Sequence, residues 1–146
     1  MIFNLHRASV SSPLYVIIIK AHGATDVTGF GLIGHAQNLV ESQKNKLNFI
    51  INRLPCIQHM ISSDESLNNM FKLKEGKSAE TSGGLLISLS PQTVKSFMSE
   101  LKELNGHDVW IVGNVVEGTK KALLDEQIEI IEIMADSEGH LVNCLV

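Results

Sequence analysis

Cysteine is scarce: Cys56 and Cys144 are the two in the chain. They form neither a metal-spaced pair nor a dense framework, and both are read as free thiols in a reducing, cytoplasmic compartment. Positive charge is thin as well, with 12 Lys and Arg against 16 Asp and Glu and a net charge of −4. No basic run is dense enough to neutralise successive phosphates, so nucleic acid is not an expected partner. The apolar run Leu14–Ile19 near the start is six residues long, far short of the roughly 20 that span a bilayer. It is also short for a signal core, and no small-residue cleavage pattern follows it, so no membrane partner is expected. Its Tyr15, Val16 and three isoleucines suit a buried strand. The nucleotide-loop patterns G-x-x-x-x-G-K-[ST] and G-x-G-x-x-G are both missing. His6, His22, His59, His107 and His140 are scattered without ligand spacing, which argues against zinc. There is no internal repeat and no low-complexity tract.

What is present is a chain of 146 residues, 44% hydrophobic, enough for one domain with a sizeable core. Leu32, Ile33, Ala36, Leu39 and Val40 fall on one face at helical spacing, predicting a helix from near Gly31 to Gln43. "LNFIIN" from Leu47 reads as a strand, and Ile57, Met60 and Ile61 as a short helix before the polar "SSDESLNN". "GGLLISL" reads as a strand. Ser90 and Pro91 then look like the cap and first position of a helix facing inward through Val94, Phe97, Met98, Leu101 and Leu104 and stopped by Gly106. "DVWIVGNVV" and "EQIEIIEI" read as further strands, with a bulge where Ile130 and Ile131 break alternation. Helices interleaved with four or more strands imply an α/β or α+β domain, a mixed sheet covered by helices.

Chemistry in such a domain sits on loops, and two stand out. "TDVTGFG" precedes the first helix, and "ETSGG" from Glu80 to Gly84 precedes a strand. Glycines let backbone approach a ligand, while Thr and Ser hydroxyls and helix-start N–H groups suit anionic oxygens such as phosphate. A carboxylate in that setting repels bare phosphate, so Asp26 makes sense as a ligand if a divalent cation lies between them; Mg²⁺ takes one or two carboxylates with phosphate oxygens and water. By spacing alone the plainer reading is the better one: Asp26 as a helix cap or Asx-turn, the glycines as turns, and His35 as a locally packing or capping residue.

The longer motifs "ATDVTGFGLIGHAQNL", "ETSGGLLISL" and "WIVGNVVEG", in this order and spacing, resemble the C-terminal domain of selenophosphate synthetase, also called selenide, water dikinase. The resemblance runs from about His22 to Ile133, and "NRLPCIQHM" and "NMFKL" resemble animal-type members. The first motif is the specific one, because the related domains of aminoimidazole ribonucleotide synthetase and the hydrogenase maturation ATPase carry different glycine-rich versions there.

The resemblance implies the C-terminal α/β fold of that synthetase superfamily, partly ferredoxin-like, in a two-domain ATP enzyme of selenocysteine biosynthesis. That enzyme converts ATP, selenide and water to selenophosphate, AMP and phosphate. Asp26 would help bind the Mg²⁺ that holds the ATP phosphates; Thr25, Thr28, Gly29 and Gly31 would shape the loop, with Thr81, Ser82, Gly83 and Gly84 facing the same cleft. The other ATP and metal ligands, the catalytic lysine and the catalytic cysteine or selenocysteine would lie in a preceding N-terminal domain, which also builds much of a homodimer. Residues 1–19 do not resemble the expected lead-in, so the reading is a non-matching segment 1–19, a synthetase-like domain 20–146 and no N-terminal domain. Neither Cys56 nor Cys144 lies in the catalytic motif, and no catalytic residue is assigned. Two roles follow as expectations: part of an enzyme, inactive alone, or a non-catalytic fragment that binds synthetase subunits.

Overall fold

The computed structural model describes residues 2–4, 21–79, 84–105 and 109–134. Seven strands and three helices follow in the order β1 (Ile2–Asn4), β2 (Gly23–Asp26), α1 (Gly31–Glu41), β3 (Leu47–Ile57), α2 (Met60–Ser66), β4 (Leu85–Ser88), α3 (Pro91–Asn105), β5 (Trp110–Ile111), β6 (Gly113–Glu117) and β7 (Ala122–Ile133), with a 3₁₀ turn at Leu73–Glu75 between α2 and β4. The apolar run at residues 14–19, Gly106 and Cys144 lie outside the described residues.

The strands form two sheets, β2-β4-β1-β5 and β6-β3-β7. All pairs in the first are antiparallel, whereas β3 runs antiparallel to β6 and parallel to β7. The fold is α+β with a mixed sheet, as the sequence implied. β1 comes from the stretch 1–19 and is an inner strand of the first sheet, between β4 and β5.

Two apolar clusters follow from strand alternation in β4. Leu86 joins Val27, Leu32, Ala36, Leu39, Val40, Phe49 and Ile51 between α1 and the β3 sheet. Its neighbour Ile87 turns the other way, onto Val94, Phe97 and Leu101 of α3. Of the inner faces expected of α1 and α3, Leu32, Ala36, Leu39, Val40, Val94, Phe97 and Leu101 are buried and Ile33 and Met98 partly so, while the side chain of Leu104 is not described. Cys56 is buried in the first of these clusters.

β3 departs from expectation by running past Asn52 to Ile57. The N–H groups of Asn52 and Arg53 both donate to the Val112 carbonyl, at 3.1 and 3.2 Å. Two residues facing one partner make a bulge, and the inward positions change from Phe49 and Ile51 to Leu54 and Cys56. Pro55 fits because Gln58 N–H donates to Ile133 on β7 at 2.8 Å. By alternation the missing N–H of Pro55 then faces away from β7. The bulge expected at Ile130 and Ile131 is corrected: these two pair in regular register with Leu54 and Pro55, and β7 slips earlier, between Leu124 and Glu129. There Asp125 accepts Gln127 N–H at 3.0 Å, a side-chain turn that stabilises the slip. α2 is also corrected, starting at Met60 and taking in residues 62–66 of the stretch read as polar loop.

The turn between β6 and β7 is tied to β3 by one side chain. Asn48 Oδ1 accepts the N–H of Thr119 at 2.8 Å and of Lys121 at 3.0 Å. Asn48→Ala removes both bonds, and the expected loss is about 1–2 kcal/mol, a fall in Tm of roughly 3–8 °C. An unchanged thermal melt would mean that the turn holds without Asn48.

Candidate functional site at the β2–α1 loop

β2 ends at Asp26, which stands opposite Leu85 at the start of β4. The ladder continues one residue further, with Val27 N–H donating to Gly84 O at 2.9 Å. Gly84 is the last residue of "ETSGG", so the two glycine-rich motifs meet at this bond; Thr81, Ser82 and Gly83 lie outside the described residues. Val27 is buried in the core, and Asp26 and Thr28 on either side are half-buried. Alternation turns them away from Val27. Gly29 and Phe30 are exposed.

Local contacts fix the loop. Thr25 Oγ1 donates to Asp26 O at 3.2 Å. Thr28 O accepts Gly31 N–H at 3.0 Å, closing a turn. Thr28 Oγ1 lies 3.1 Å from Nε2 of the buried His35, whose ring also meets Phe30 at 5.6 Å between centroids. His35 therefore packs locally. The N-cap position of α1 belongs to Phe30, four residues beyond Asp26, and no side chain caps there. Asp26 is a strand-end carboxylate, and reading it as the helix cap is corrected.

The helix start is less open to anions than its glycines suggested. Ile33 N–H, one of the donors that a helix leaves without an internal partner, donates to Gly76 O at 3.0 Å. Gly31 lies on the same segment: a Cβ there would come within 2.6 Å of the Lys77 carbonyl carbon and 2.7 Å of Gly76 O. Its φ of +67° also calls for glycine. The Gly76–Lys77 segment was not anticipated, since its sequence signal is an ordinary turn glycine among lysines. Beside it, Lys77 Nζ donates to Glu75 Oε2 at 2.7 Å and holds that carboxyl below its usual range. Both groups are exposed, and such a pair adds little stability.

Among the described residues no group of three or more His, Cys, Asp or Glu side chains gathers to hold a metal. Among the described residues one carboxylate, Asp26, stands at the meeting point of the motifs. That fits Mg²⁺ as one ligand of a set completed by phosphate oxygens, water and groups beyond these residues.

Residues 12–126 match the family model described as AIR synthase related protein, C-terminal domain, and the chain belongs to that family. Within it the chain is similar to selenide, water dikinases. Selenide, water dikinase 2 of Mus musculus is 40% identical over 135 residues, covering 90% of this chain and 30% of that protein. The Dictyostelium discoideum selenide, water dikinase is 48% identical over 98 residues, 67% of this chain and 27% of its own. The Trypanosoma brucei brucei enzyme is 41% identical over 126 residues, 84% of this chain and 32% of its own. The chain thus spans less than a third of the length of these curated relatives. No helix among the described residues is long and apolar enough to cross a membrane.

Proposed function

We propose that this chain forms one wall of the ATP cleft of a selenide, water dikinase, with Asp26 as a ligand to Mg²⁺. The observation that carries the reading is the position of Asp26: a half-buried carboxylate fixed at a strand end, where "TDVTGFG" and "ETSGG" are joined through Val27 and Gly84. The bound cation would neutralise and orient the ATP phosphates. The chain's own residues hold that ligand in place. Val27 anchors the loop in the core, Thr28 ties it to His35, and Gly29 leaves open space beside it, with nothing within 4 Å of a Cβ built there. A bulky group could approach the backbone at Gly29 without a clash. Transfer of phosphate to selenide would take place with residues outside this chain, in a cytoplasmic dimeric enzyme.

The purified chain is accordingly expected to form no AMP from ATP, with or without selenide. One carboxylate cannot pre-organise a nucleotide–metal complex. Selenide-dependent AMP release, followed chromatographically from the chain alone, would overturn this.

A second reading, a non-catalytic module that binds synthetase subunits, is favoured by apolar side chains left in solvent: Phe30 at 69%, Met70 at 62% and Leu67 at 50% exposure. Large apolar side chains in solvent are what a contact surface would cover. The two readings part on nucleotide: a module leaves Mg–ATP turnover of an intact relative untouched when Asp26 is replaced in it, and a cleft wall does not.

A further inference from the structure

Asp64 is a charged side chain that the reading above does not use, and it is 2% exposed. Burying a carboxylate is costly unless its oxygens are satisfied. Here they are satisfied by backbone: Oδ1 accepts Phe71 N–H at 2.8 Å and Oδ2 accepts Leu73 N–H at 3.0 Å. These charge-assisted bonds close a loop that would not hold its shape unaided. Asn68, Asn69 and Lys72 all take positive φ, at 58°, 55° and 54°. Asn tolerates this left-handed region well, whereas Lys72 is an uncommon choice there, kept where surrounding contacts enforce it.

The loop leads directly to the candidate site. Gly76 N–H donates to Leu73 O at 2.9 Å, and Gly76 O in turn receives Ile33 N–H at 3.0 Å. The Gly76–Lys77 backbone is the surface on which Gly31 rests. Leu73 and Gly76 also line, together with Val27 and Leu32, a cavity of about 50 Å³. Hydrogen bonds and backbone packing therefore join Asp64, through Leu73 and Gly76, to the first turn of α1, which follows the Asp26 loop.

We propose that Asp64 is a positioning residue for the Asp26 loop, acting through residues 67–77; the proposal rests on reading Asp26 as a metal ligand. Losing the Asp64 bonds releases Leu73 and Gly76, removes the acceptor of Ile33 N–H and lets the first turn of α1 fray. Asp26 then loses its fixed direction.

The test is amide hydrogen exchange on the full chain and on Asp64→Asn and Asp64→Ala, read residue by residue by NMR. In Asp64→Ala the amides of Phe71, Leu73 and Ile33 are expected to exchange at least tenfold faster, with Phe49 in the core of β3 unchanged. Asp64→Asn keeps one acceptor oxygen and should recover part of the protection at both ends of the run. A merely local role would accelerate Phe71 and Leu73 and leave Ile33 as it was, which would overturn the proposal. If Asp64→Ala also loses protection at Phe49 because it fails to fold, Asp64→Asn decides by the same criterion at Ile33. A second measurement separates this from the ligand reading. Mn²⁺ should broaden the amides of residues 25–29 in the parent chain, and Asp26→Asn should abolish the broadening. Broadening that does not depend on Asp26 sinks the ligand reading and the proposal with it. Broadening that depends on Asp26, with Ile33 indifferent to Asp64, sinks the positioning role alone.

Discussion

Turnover of an intact selenide, water dikinase should fall about a hundredfold when the aspartate equivalent to Asp26 is replaced by alanine, while the fold barely changes. Loss of one strong electrostatic contact to a transferring phosphoryl group corresponds to roughly 3 kcal/mol, which is that factor in rate. Stability should respond differently. Acidic ligands gathered for a cation repel one another when it is absent, so removing one costs little and can raise the metal-free melting temperature. A helix cap would behave in the opposite way, with about 1 kcal/mol of stability lost and chemistry slowed only indirectly. Phe30, not Asp26, takes the N-cap position of α1, and Asp26 ends β2. Melting without metal and AMP formation at saturating Mg–ATP, measured on the same variant, provide the check. A clearly lowered melting temperature with near-normal turnover would defeat the assignment.

Gly31→Ala should destabilise this chain by roughly 3 kcal/mol or more, lowering Tm by about 10 °C. Two costs add at this position. A side chain at φ +67° is strained in itself. Its Cβ would also stand 2.6 to 2.8 Å from backbone atoms of Gly76 and Lys77, which cannot swing aside as a flexible side chain could. Gly29→Ala is the internal control, because its Cβ meets nothing within 4 Å. A residue two positions away in the same motif should therefore leave Tm within a degree or two of the parent, as for an ordinary surface change. Equal melting temperatures for the two variants would show that the Gly31 contact is not made in solution. Two glycines that look alike in "TDVTGFG" thus have separate tasks, Gly31 for packing and Gly29 for open space.

Much of this was legible from residues alone, and where it was not the reason is physical. α1 and α3 were visible because their buried faces keep a period near 3.6 over three turns or more. β4 was visible because a short apolar run follows a pair of glycines. β3 was only half visible, since the bulge at Asn52 and Arg53 reverses which residues face inward, and alternation on either side of it cancels when read as one pattern. β1 has three residues, too few to show any period. The loop at 67–77 was unreadable because its left-handed positions are filled by Asn68, Asn69 and Lys72, so glycine marks only its end. At the site, Asp26 and its glycines were legible as a motif. The backbone of Gly76 and Lys77 was not, because contact between carbonyls and a distant glycine leaves no trace in side-chain identity.

The place of β1 in its sheet sets a timetable for folding. Residues 2–4 are among the first of these residues to be synthesised, yet their hydrogen-bonding neighbours are β4 and β5. At 5–20 residues per second the ribosome supplies the second of those neighbours roughly 5–20 s after the first strand has been made. The other sheet waits longer still, because β3 needs β7 as well as β6. Neither half can close early and serve as a template for the other, so the domain is built to fold late and as one cooperative unit, with its slow step in long-range strand pairing.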